Sequence, residues 1–483
     1  MTPNGRGGNP SRKRPPIGCE RCISRRKGRT IILIVDENLP FMLRDERPLR
    51  VLFLDLNSYF ASVEQQEHPE LRGKPIAVCP VMADTSFVIA ASYEAKKFGV
   101  KTGTMIGDAK VMCPGLLLID ASHTIYVSYH NRVLEVVETV LPVDKVSSID
   151  EMYFRLIGEE REPANAIALA KKIKSVLRDK VGECMTASIG IAPNVFLAKV
   201  GTDMQKPDGL VVLQAEDLPH KLHVLKLTDF AGINKRMEVR LNAAGIFTAE
   251  QMCSATRPEL AKAFGSVVGD RWWFLLRGYE VDLENRTRRS LSHSHVLPPK
   301  HRTDEGCREV LLRLMLKAAQ RLRSENLWAC GMDVHVGGFK KSWTSRLRLP
   351  PTQDSVTMTE YLLEAWESRD YDSPKMVGVT FHELKTVEMV TPSLFDASVQ
   401  RGQFSQAVDK VNNKFGKNKV HLAAMEHAQD SAPERIAFNK TWLFSEGKGD
   451  NIVEEIGEGD APLQMTRAKD EDDDFDAFNE FWQ

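Results

Sequence analysis

The sequence predicts an α+β protein that is divided into several domains. Its 483 residues are too many for one hydrophobic core. Between residues 50 and 200, apolar runs typical of strands alternate with stretches typical of helices, in a βαββαβ-like order that indicates a ferredoxin-like sheet. The formal net charge is only −1, yet basic residues crowd one end of the chain and acidic residues the other. We therefore expect folded domains between two disordered, charged ends.

The predicted elements follow the spacing of apolar residues along the chain. Apolar runs bounded by turn residues predict strands over 50–55, 76–79, 87–91, 143–148, 152–156 and 185–191. Apolar residues at helical spacing predict helices over 58–66, 93–98, 126–140 and 163–181, and a further helix from residue 194. Several short helices follow over 218–283. A long helix over 309–323 and strands over 333–339, 345–349 and 376–381 then predict a second α/β domain.

The two ends differ in charge and lack apolar periodicity. Nine Lys and Arg precede residue 30, with Glu20 as the one acid, so residues 1–48 are predicted to be a basic disordered extension. From Asp450 onward twelve acids stand against two bases, and we predict an acidic disordered tail over 426–483. Aromatic residues lie among these acids, which indicates a segment that folds on a protein partner; they are Phe475, Phe478, Phe481 and Trp482.

Cysteine usage and hydropathy argue against a protein held together by disulfides and against a membrane-spanning protein. Eight cysteines in a chain of this length give no disulfide framework. Cys19 and Cys22 have metal-like spacing, but a structural zinc site needs four ligands and no second pair lies nearby. The most apolar run near the N-terminus, 31–35, is too short to span a membrane. We expect a soluble protein with reduced thiols.

Three carboxylates stand at the ends of predicted strands. Asp55 closes the first apolar run, and Asp150 and Glu151 lie at the tip of the hairpin predicted from 143–148 and 152–156. Oxygen ligands suit Mg²⁺ rather than zinc, and Mg²⁺ held by carboxylates commonly shares its coordination with substrate phosphates. The pattern therefore indicates phosphoryl or nucleotidyl transfer. From spacing alone, a solvated turn is the alternative interpretation of the adjacent acids.

The residues around these carboxylates resemble the motifs of Y-family, or translesion, DNA polymerases of the bacterial DinB and UmuC branches. The motifs occur in the family's order at 55–64 (DLNSYFASVE), 91–100 (ASYEAKKFGV), 148–151 (SIDE), 188–192 (SIGIA) and 206–209 (KPDG). The resemblance extends from about residue 49 to about residue 422. Only the two ends of the chain fall outside it.

The resemblance implies the right-hand architecture of a polymerase. It implies a ferredoxin-like palm over 49–60 and 124–213, small fingers over 61–123, and a helical thumb over 214–285 with a helix-hairpin-helix-like motif. An α/β little finger over 286–386 would complete the grip on DNA. Residues 387–425 would form a linker that binds the sliding clamp, followed by a trailing segment without an assigned role.

The resemblance also implies the roles of the carboxylates. Asp55, Asp150 and Glu151 would be the catalytic residues, and together with the Leu56 carbonyl they would hold two Mg²⁺ ions, for which Mn²⁺ is a possible substitute. The two ions would activate the primer 3′-hydroxyl and neutralise charge on the leaving pyrophosphate.

Five residues are expected to bind the incoming nucleotide by the same resemblance: Tyr59, Phe60, Tyr93, Lys96 and Lys206. Phe60 occupies the position of the steric gate, an aromatic ring that leaves no room for a ribose 2′-hydroxyl. Two positions depart from the family pattern, because Lys96 stands where Arg is common and Ala90 where Ser or Thr is common. We expect a weaker grip on the triphosphate in consequence.

Primer-template DNA and the β sliding clamp are the expected macromolecular partners. Between residues 286 and 349, fourteen Lys and Arg face five Asp and Glu, which indicates phosphate binding. The predicted DNA contacts are Arg288, Arg289, Ser290, Lys340 and Lys341. The clamp-binding residues by resemblance are Ser393, Leu394 and Phe395, with Thr391 where glutamine is usual.

The sequence thus predicts a template-directed DNA polymerase of the translesion type. We expect a monomer in the bacterial cytoplasm, associated with the nucleoid, that uses dNTPs. A nucleotide cyclase would need neither a basic DNA-binding domain nor a clamp peptide. A noncatalytic DNA-binding repair scaffold of the same fold is the closer alternative, although it would be expected to lose the three acids. The acidic tail has an alternative role as a DNA mimic that covers the basic domain.

Overall fold

The structure is a computed structural model. It describes residues 47–281, 289–391, 399–416, 418–428 and 431 with their side chains, and 22–26, 29–33 and 396–398 by their backbone. Several predicted features lie outside the described residues, namely Arg288, the clamp-binding residues 393–395 and the acidic tail from residue 432.

Part of the predicted basic extension has regular structure. Strands β1 (Cys22–Arg26) and β2 (Arg29–Leu33) pair as an antiparallel hairpin, with Cys22 opposite Leu33. The prediction of disorder over 1–48 did not include this hairpin. Its second strand contains Thr30, Ile31 and Ile32, and such β-branched residues favour extended backbone.

The next part of the chain begins a large sheet and then leaves it. Strand β3 (Val51–Leu56) is buried along its whole length, which explains its unbroken apolar run, and helix α1 (Tyr59–Glu67) follows it directly. A smaller sheet of order β5-β4-β6 comes next. Its elements are β4 (Ile76–Cys79), β5 (Ala90–Ala91), α2 (Tyr93–Lys96), α3 (Ile106–Met112) and β6 (Leu117–Asp120). The strand predicted over 87–91 is shorter than expected, because Val88 bonds to the carbonyl of Thr104 in the loop before α3.

The chain then returns to complete the large sheet. The added elements are α4 (His123–Glu138), β7 (Lys145–Val146), β8 (Glu151–Arg155), α5 (Pro163–Lys180), β9 (Ala187–Ala192), α6 (Val195–Met204) and β10 (Leu210–Val212). The strand order is β10-β9-β3-β8-β7, with β10 parallel to β9 and the other pairs antiparallel. This mixed sheet, with β3 at its centre, agrees with the predicted palm.

Four short helices follow: α7 (Lys235–Ala243), α8 (Ala249–Ser254), α9 (Arg257–Phe264) and α10 (Val267–Leu276). Gly232 has a φ of 99° in the turn before α7, a conformation that favours glycine. Asn234 caps α7 by accepting a hydrogen bond from the Met237 amide. The turn is therefore retained, and Trp272 packs against Phe230 behind it.

The last folded part is a second α/β unit. Its elements are β11 (Ser290–Val296), α11 (Asp304–Ser324), β12 (Leu327–Gly338), β13 (Trp343–Thr352), α12 (Ser355–Trp366), β14 (Pro374–His382) and β15 (Lys385–Thr386). An antiparallel sheet of order β11-β14-β12-β13 packs one face against α11 and α12. Helix α13 (Asp396–Phe415) then lies within the segment predicted as a linker and trailing end.

A buried acid on α1 gives a test of the packing between α1 and α4. Glu64 is 4% exposed and accepts a hydrogen bond from the Tyr126 hydroxyl at 2.6 Å. Burial raises the pKa of Glu64, so the folded state binds a proton more tightly than the unfolded chain does. The free energy of unfolding contributed by this group must fall as the pH rises through the raised pKa.

Glu64→Gln is accordingly expected to raise the free energy of unfolding by about 1 kcal/mol at pH 8, with the gain fading as the pH falls toward the ordinary pKa of glutamate. Thermal unfolding measured between pH 5 and pH 8 tests this. The matched control is Glu67→Gln, an exposed acid on the same helix that accepts a hydrogen bond from Tyr129. An equal gain in both variants, or a gain independent of pH, would contradict the assignment.

Candidate active site

The large sheet brings the three predicted catalytic carboxylates together at one end of its neighbouring strands β3 and β8. In the antiparallel pairing of β3 with β8, Asp55 lies directly opposite Glu151. Asp150 occupies the turn just before β8, and the Leu56 amide donates to its backbone carbonyl at 2.9 Å. Because a turn precedes Glu151, the two adjacent acids escape the strict alternation of a strand and can serve one site.

Each carboxylate has a polar partner that fixes its orientation. The Ser148 hydroxyl donates to Asp150 Oδ1 at 2.5 Å. The Lys199 ammonium donates to Asp55 Oδ2 and lies 3.0 Å from Glu151 Oε1. The charge of the cluster is therefore partly balanced by a cation that sequence analysis did not identify.

Lys199 belongs to helix α6, which approaches the sheet unusually closely. A Cβ atom added at Gly190 of β9 would lie 2.0 Å from the Ala198 carbonyl oxygen, so only glycine permits this contact. Gly201 lies on the same face of α6, against Gly190. The close approach carries the ammonium of Lys199 onto the carboxylates of the neighbouring strands.

Asp203, one helical turn after Lys199, is the second residue that sequence analysis missed. Its carboxylate lies 3.1 Å from the Lys199 ammonium and 2.7 Å from that of Lys206. Lys206 in turn donates to Asp55 Oδ2 at 2.9 Å. The predicted phosphate-binding lysine is thus placed beside the carboxylates, and Asp203 holds both ammonium groups at the site.

The electrostatics of the three acids differ. Burial alone would raise the pKa of Asp55, but the ammonium groups of Lys199 and Lys206 outweigh it and lower that pKa. Burial raises the pKa of Asp150 and of Glu151, and the negative charge of Asp55 raises both further. Two of the three acids therefore hold their protons more tightly than ordinary carboxyl groups, as expected where a positive ion is needed to stabilise the ionised forms.

The donor set fits a hard divalent cation. Within the described ranges, no three Asp, Glu, His or Cys side chains are already close enough to form a finished metal site. The Lys199 ammonium nevertheless contacts Asp55 and Glu151 together, so one cation fits between these two carboxylates. Oxygen donors of this kind suit Mg²⁺ or Mn²⁺. The six described cysteines are free and none lies in the cluster.

Three of the predicted nucleotide-binding residues differ in what their side chains contact: Lys96 and Tyr93 lie close to each other, and Tyr59 bonds within the protein. The Lys96 ammonium donates to the Ser58 hydroxyl at 2.7 Å and lies 4.5 Å from the centre of the Tyr93 ring, and the Tyr93 hydroxyl lies 3.3 Å from the side-chain amide of Asn57. These two side chains are therefore next to the strand that carries Asp55. Tyr59 is different, because its buried hydroxyl donates to the Tyr126 carbonyl at 2.6 Å. A nucleotide contact by Tyr59 is left to its backbone.

Phe60, the predicted steric gate, packs at the start of α1. Its ring is 4% exposed and stacks on Tyr126 with 4.3 Å between ring centres. The stacking fixes the ring's position, as a side chain that excludes a hydroxyl group by its shape requires.

Four of the five predicted DNA contacts are described, and all four are exposed: Arg289, Ser290, Lys340 and Lys341. Acids offset part of their charge, since Lys341 pairs with Asp370 at 2.5 Å and the Lys340 amide donates to Asp372. Arg346 on β13 also faces outward and pairs with Asp333 on β12. The outer face of this sheet is thus polar, with arginine side chains held in place.

The mixed sheet with its clustered carboxylates and the comparisons with known proteins together define a nucleic-acid polymerase. The chain matches the impB/mucB/samB family over residues 54–203 and the C-terminal domain of that family over residues 288–394. It is 31% identical to DNA polymerase IV of Moorella thermoacetica, over 77% of this chain and 95% of that protein. It is 27% identical to DNA polymerase IV 1 of Bacillus subtilis, over 83% of this chain and 99% of that protein.

A solved structure agrees with these relatives. A chimeric Y-family DNA polymerase superimposes with a TM-score of 0.59 and 26% sequence identity, covering 70% of this chain and 99% of the chimera. The chain belongs to the Y family of translesion DNA polymerases, on its DinB-like side. The predicted family, fold class and enzyme class are therefore confirmed, and the noncatalytic scaffold is not favoured. In the described part of the chain, no helix is both long and apolar enough to cross a bilayer.

Proposed function

We propose that this polymerase extends a primer 3′ end at a site built from Asp55, Asp150 and Glu151, with two divalent ions bound by these carboxylates and the Leu56 carbonyl. The observation that most directly supports a cation position between Asp55 and Glu151 is the single ammonium group that contacts both. When bound, Mg²⁺ supplies Lewis acidity toward the primer hydroxyl and the transferring phosphate.

The side chains around the carboxylates bind the triphosphate, position Asp150 and select the sugar of the nucleotide. Lys96 and Lys206 provide positive charge for the triphosphate, and Tyr93 adds a hydroxyl donor. Ser148 holds Asp150 in place through its hydrogen bond to Oδ1. Phe60 limits the space beneath the sugar of the incoming nucleotide. The predicted DNA contacts Arg288, Arg289, Ser290, Lys340 and Lys341, joined by Arg346 on the outer face of β13, bind the DNA backbone.

The test of this function is extension of a primed template by the purified chain with Mg²⁺ and the four dNTPs. We expect products whose sequence follows the template, and loss of extension when EDTA removes the divalent ion. Binding of primed DNA without any extension, by a protein that unfolds cooperatively on heating, would instead indicate a scaffold. A template carrying an abasic site then tests lesion bypass directly.

The triphosphate contacts make a separate prediction. Lys96→Ala is expected to raise KM for dNTP about tenfold while kcat changes little, because the lost charge contacts phosphates in the ground state and the transition state alike. Lys96→Arg is expected to keep KM at or below its original value, since guanidinium binds phosphate through two parallel hydrogen bonds. The matched control is Lys97→Ala, the exposed neighbouring lysine. An unchanged KM in Lys96→Ala would remove this residue from the site.

We also propose that Ser393, Leu394 and Phe395 bind the β sliding clamp. An apolar pair in a polar segment suits a shallow apolar pocket on a partner. Leu394→Ala with Phe395→Ala is expected to abolish clamp-stimulated synthesis while synthesis without clamp stays within about twofold of the original. Primer extension with and without loaded clamp measures this. Equal stimulation of the variant and the original chain would overturn the proposal.

The remaining predictions concern where the enzyme acts. We propose that it works as a monomer in the cytoplasm, at the nucleoid, and that the acidic aromatic segment 470–482 contacts a protein partner. The charge of that segment supports an accessible, solvated tail.

A further inference from the structure

An apolar groove lies on the side of the second α/β unit that faces away from its sheet. It is formed by α11, α12, α13 and the segment 418–425, and its volume is about 570 Å³. Its apolar lining includes residues of all four elements, namely Leu316, Val356, Leu363, Phe404, Val408, Val420, Leu422 and Met425. The groove is remote in sequence from every residue assigned to the polymerase site.

Helix α13 is firmly attached along one side of this groove. The Arg323 guanidinium of α11 donates two parallel hydrogen bonds to the Asp409 carboxylate of α13, at 2.5 and 2.8 Å, and both side chains are largely buried. The Ser355 amide at the start of α12 donates to the Ser405 hydroxyl at 3.1 Å. The groove is therefore a built feature of the fold, with α13 as one wall.

The wall formed by α13 carries an apolar stripe that the described residues leave partly uncovered. Phe404 and Val408 line the groove, and Val411 and Phe415 continue the same apolar face of α13 beyond it, at spacings of four, three and four residues. Phe404 is 58% exposed and Phe415 is 62% exposed, and Leu363 on the opposite wall is 39% exposed. A continuous apolar surface of this kind indicates a binding partner.

The course of the chain points to the partner. After α13 the chain turns back along α11, where Met425 is buried and lines the groove. Arg313, which also lines the groove, donates from its guanidinium to the Ser431 carbonyl. The described chain therefore ends at the rim of the groove.

The segment that follows is rich in apolar residues. Only four residues separate Ser431 from Ile436, and the segment 436–444 (IAFNKTWLF) carries Phe438, Trp442, Leu443 and Phe444 without a single acid. The five steps from residue 431 to 436 span at most about 17 Å, enough to reach a neighbouring groove and too few to reach far beyond it.

We propose that the segment 436–444 folds back into this groove and packs its aromatic side chains against Phe404 and Leu363. The aromatic residues of the distal tail fit less well, since they would carry the run of acids at 470–474 toward an apolar surface. A tether this short gives an effective concentration in the millimolar range, so even weak intrinsic affinity keeps the groove occupied.

The docked segment has two consequences for the enzyme. It holds α13 against the second α/β unit. Helix α13 begins at Asp396, immediately after the residues proposed to bind the sliding clamp. The docked segment also starts the acidic tail on the helical side of this unit, because α11 and α12 separate the groove from the sheet. The tail then begins away from the polar sheet face that is proposed to bind DNA.

Hydrogen exchange of the full chain, followed by mass spectrometry, tests the proposal. Amides in 436–444 are expected to exchange at least about tenfold more slowly than those in the acidic stretch 450–470, which serves as an internal reference. Leu363→Glu with Phe404→Glu is expected to remove that protection. The matched control is Val239→Glu, an exposed apolar residue on α7 of the thumb, which should leave the protection unchanged.

A double substitution in the segment itself tests whether the loss of protection comes from undocking rather than from unfolding of the domain. Trp442→Ala with Phe444→Ala should speed exchange in α13 and leave exchange in β3 and β9 as it was. Exchange of 436–444 at the rate of the reference stretch in the original chain would overturn the proposal, as would protection that survives in Leu363→Glu with Phe404→Glu. Protection that grows with protein concentration would assign the groove to a second copy, and protection confined to 475–482 would assign it to the distal tail; either result overturns the assignment to 436–444.

Discussion

Replacing Asp55 with asparagine is expected to slow single-turnover primer extension by at least about 10³-fold, because the amide cannot supply the charge that binds the divalent ions. Asp55 is the acid that lies opposite Glu151 across two strands and contacts two ammonium groups. Asp150→Ala combined with Glu151→Ala is expected to give a loss of the same size. Rapid-quench measurement with saturating dNTP and Mg²⁺ separates this chemical defect from weaker binding.

The chain offers a matched control in Asp203. This carboxylate contacts the same two lysines as Asp55 but stands outside the proposed ligand set. Asp203→Asn is expected to slow extension only about tenfold, as is usual for a residue that positions others. Affinity for primed DNA, measured by fluorescence anisotropy, should stay the same in both variants. Extension by Asp55→Asn within tenfold of the original rate would show that the metal site lies elsewhere.

The difference between Asp55 and Lys199 shows what the sequence can and cannot reveal about such a site. The strand and hairpin pattern around Asp55, Asp150 and Glu151 indicated a carboxylate metal site, and their catalytic roles were predicted only from the resemblance to Y-family polymerases. Lys199 belongs to an ordinary amphipathic helix, and its position depends on the contact between Gly190 and the Ala198 carbonyl. A sequence shows the glycine but not the helix that packs against it. The pairing of Lys199 with Asp203, four residues later on α6, was the one local signal.

Local sequence pattern predicts some helices well and fails for features that depend on contacts between distant residues. The boundaries of α1 and α5 followed from apolar spacing to within a residue or two. Helix α5 buries a regular stripe, whereas α1 is buried at six consecutive residues, 59–64. Helix α13 was not predicted, because its first turns are polar and the residues that hold it, Arg323 of α11 and Ser355 of α12, are distant in sequence. Tyr59 was predicted to contact the nucleotide, and only the fold reveals that its hydroxyl bonds to Tyr126. Tertiary contacts, rather than local pattern, decide such cases.

Changing Phe60, the proposed gate residue, is expected to have the second large effect. Phe60→Leu should lower the preference for dNTP over rNTP, expressed as the ratio of the two kcat/KM values, by at least about 10²-fold, because the smaller side chain leaves space for a 2′-hydroxyl. Phe60→Ala should lower it further. The alanine variant also loses the stacking on Tyr126 and is expected to be destabilised by about 3 kcal/mol, since Phe60 is buried.

The ratio is the informative quantity, because it is unaffected by the fraction of enzyme that is folded. Tyr59→Phe is the matched control, since it removes the neighbouring hydroxyl that bonds to the Tyr126 carbonyl and leaves the Phe60 ring in place. We expect this control to change stability and to leave the dNTP preference within about twofold of the original. If Phe60→Leu instead lowers kcat/KM for both nucleotides equally, then Phe60 is a packing residue of α1 and α4, and sugar selection must come from another side chain near the Asp55 strand.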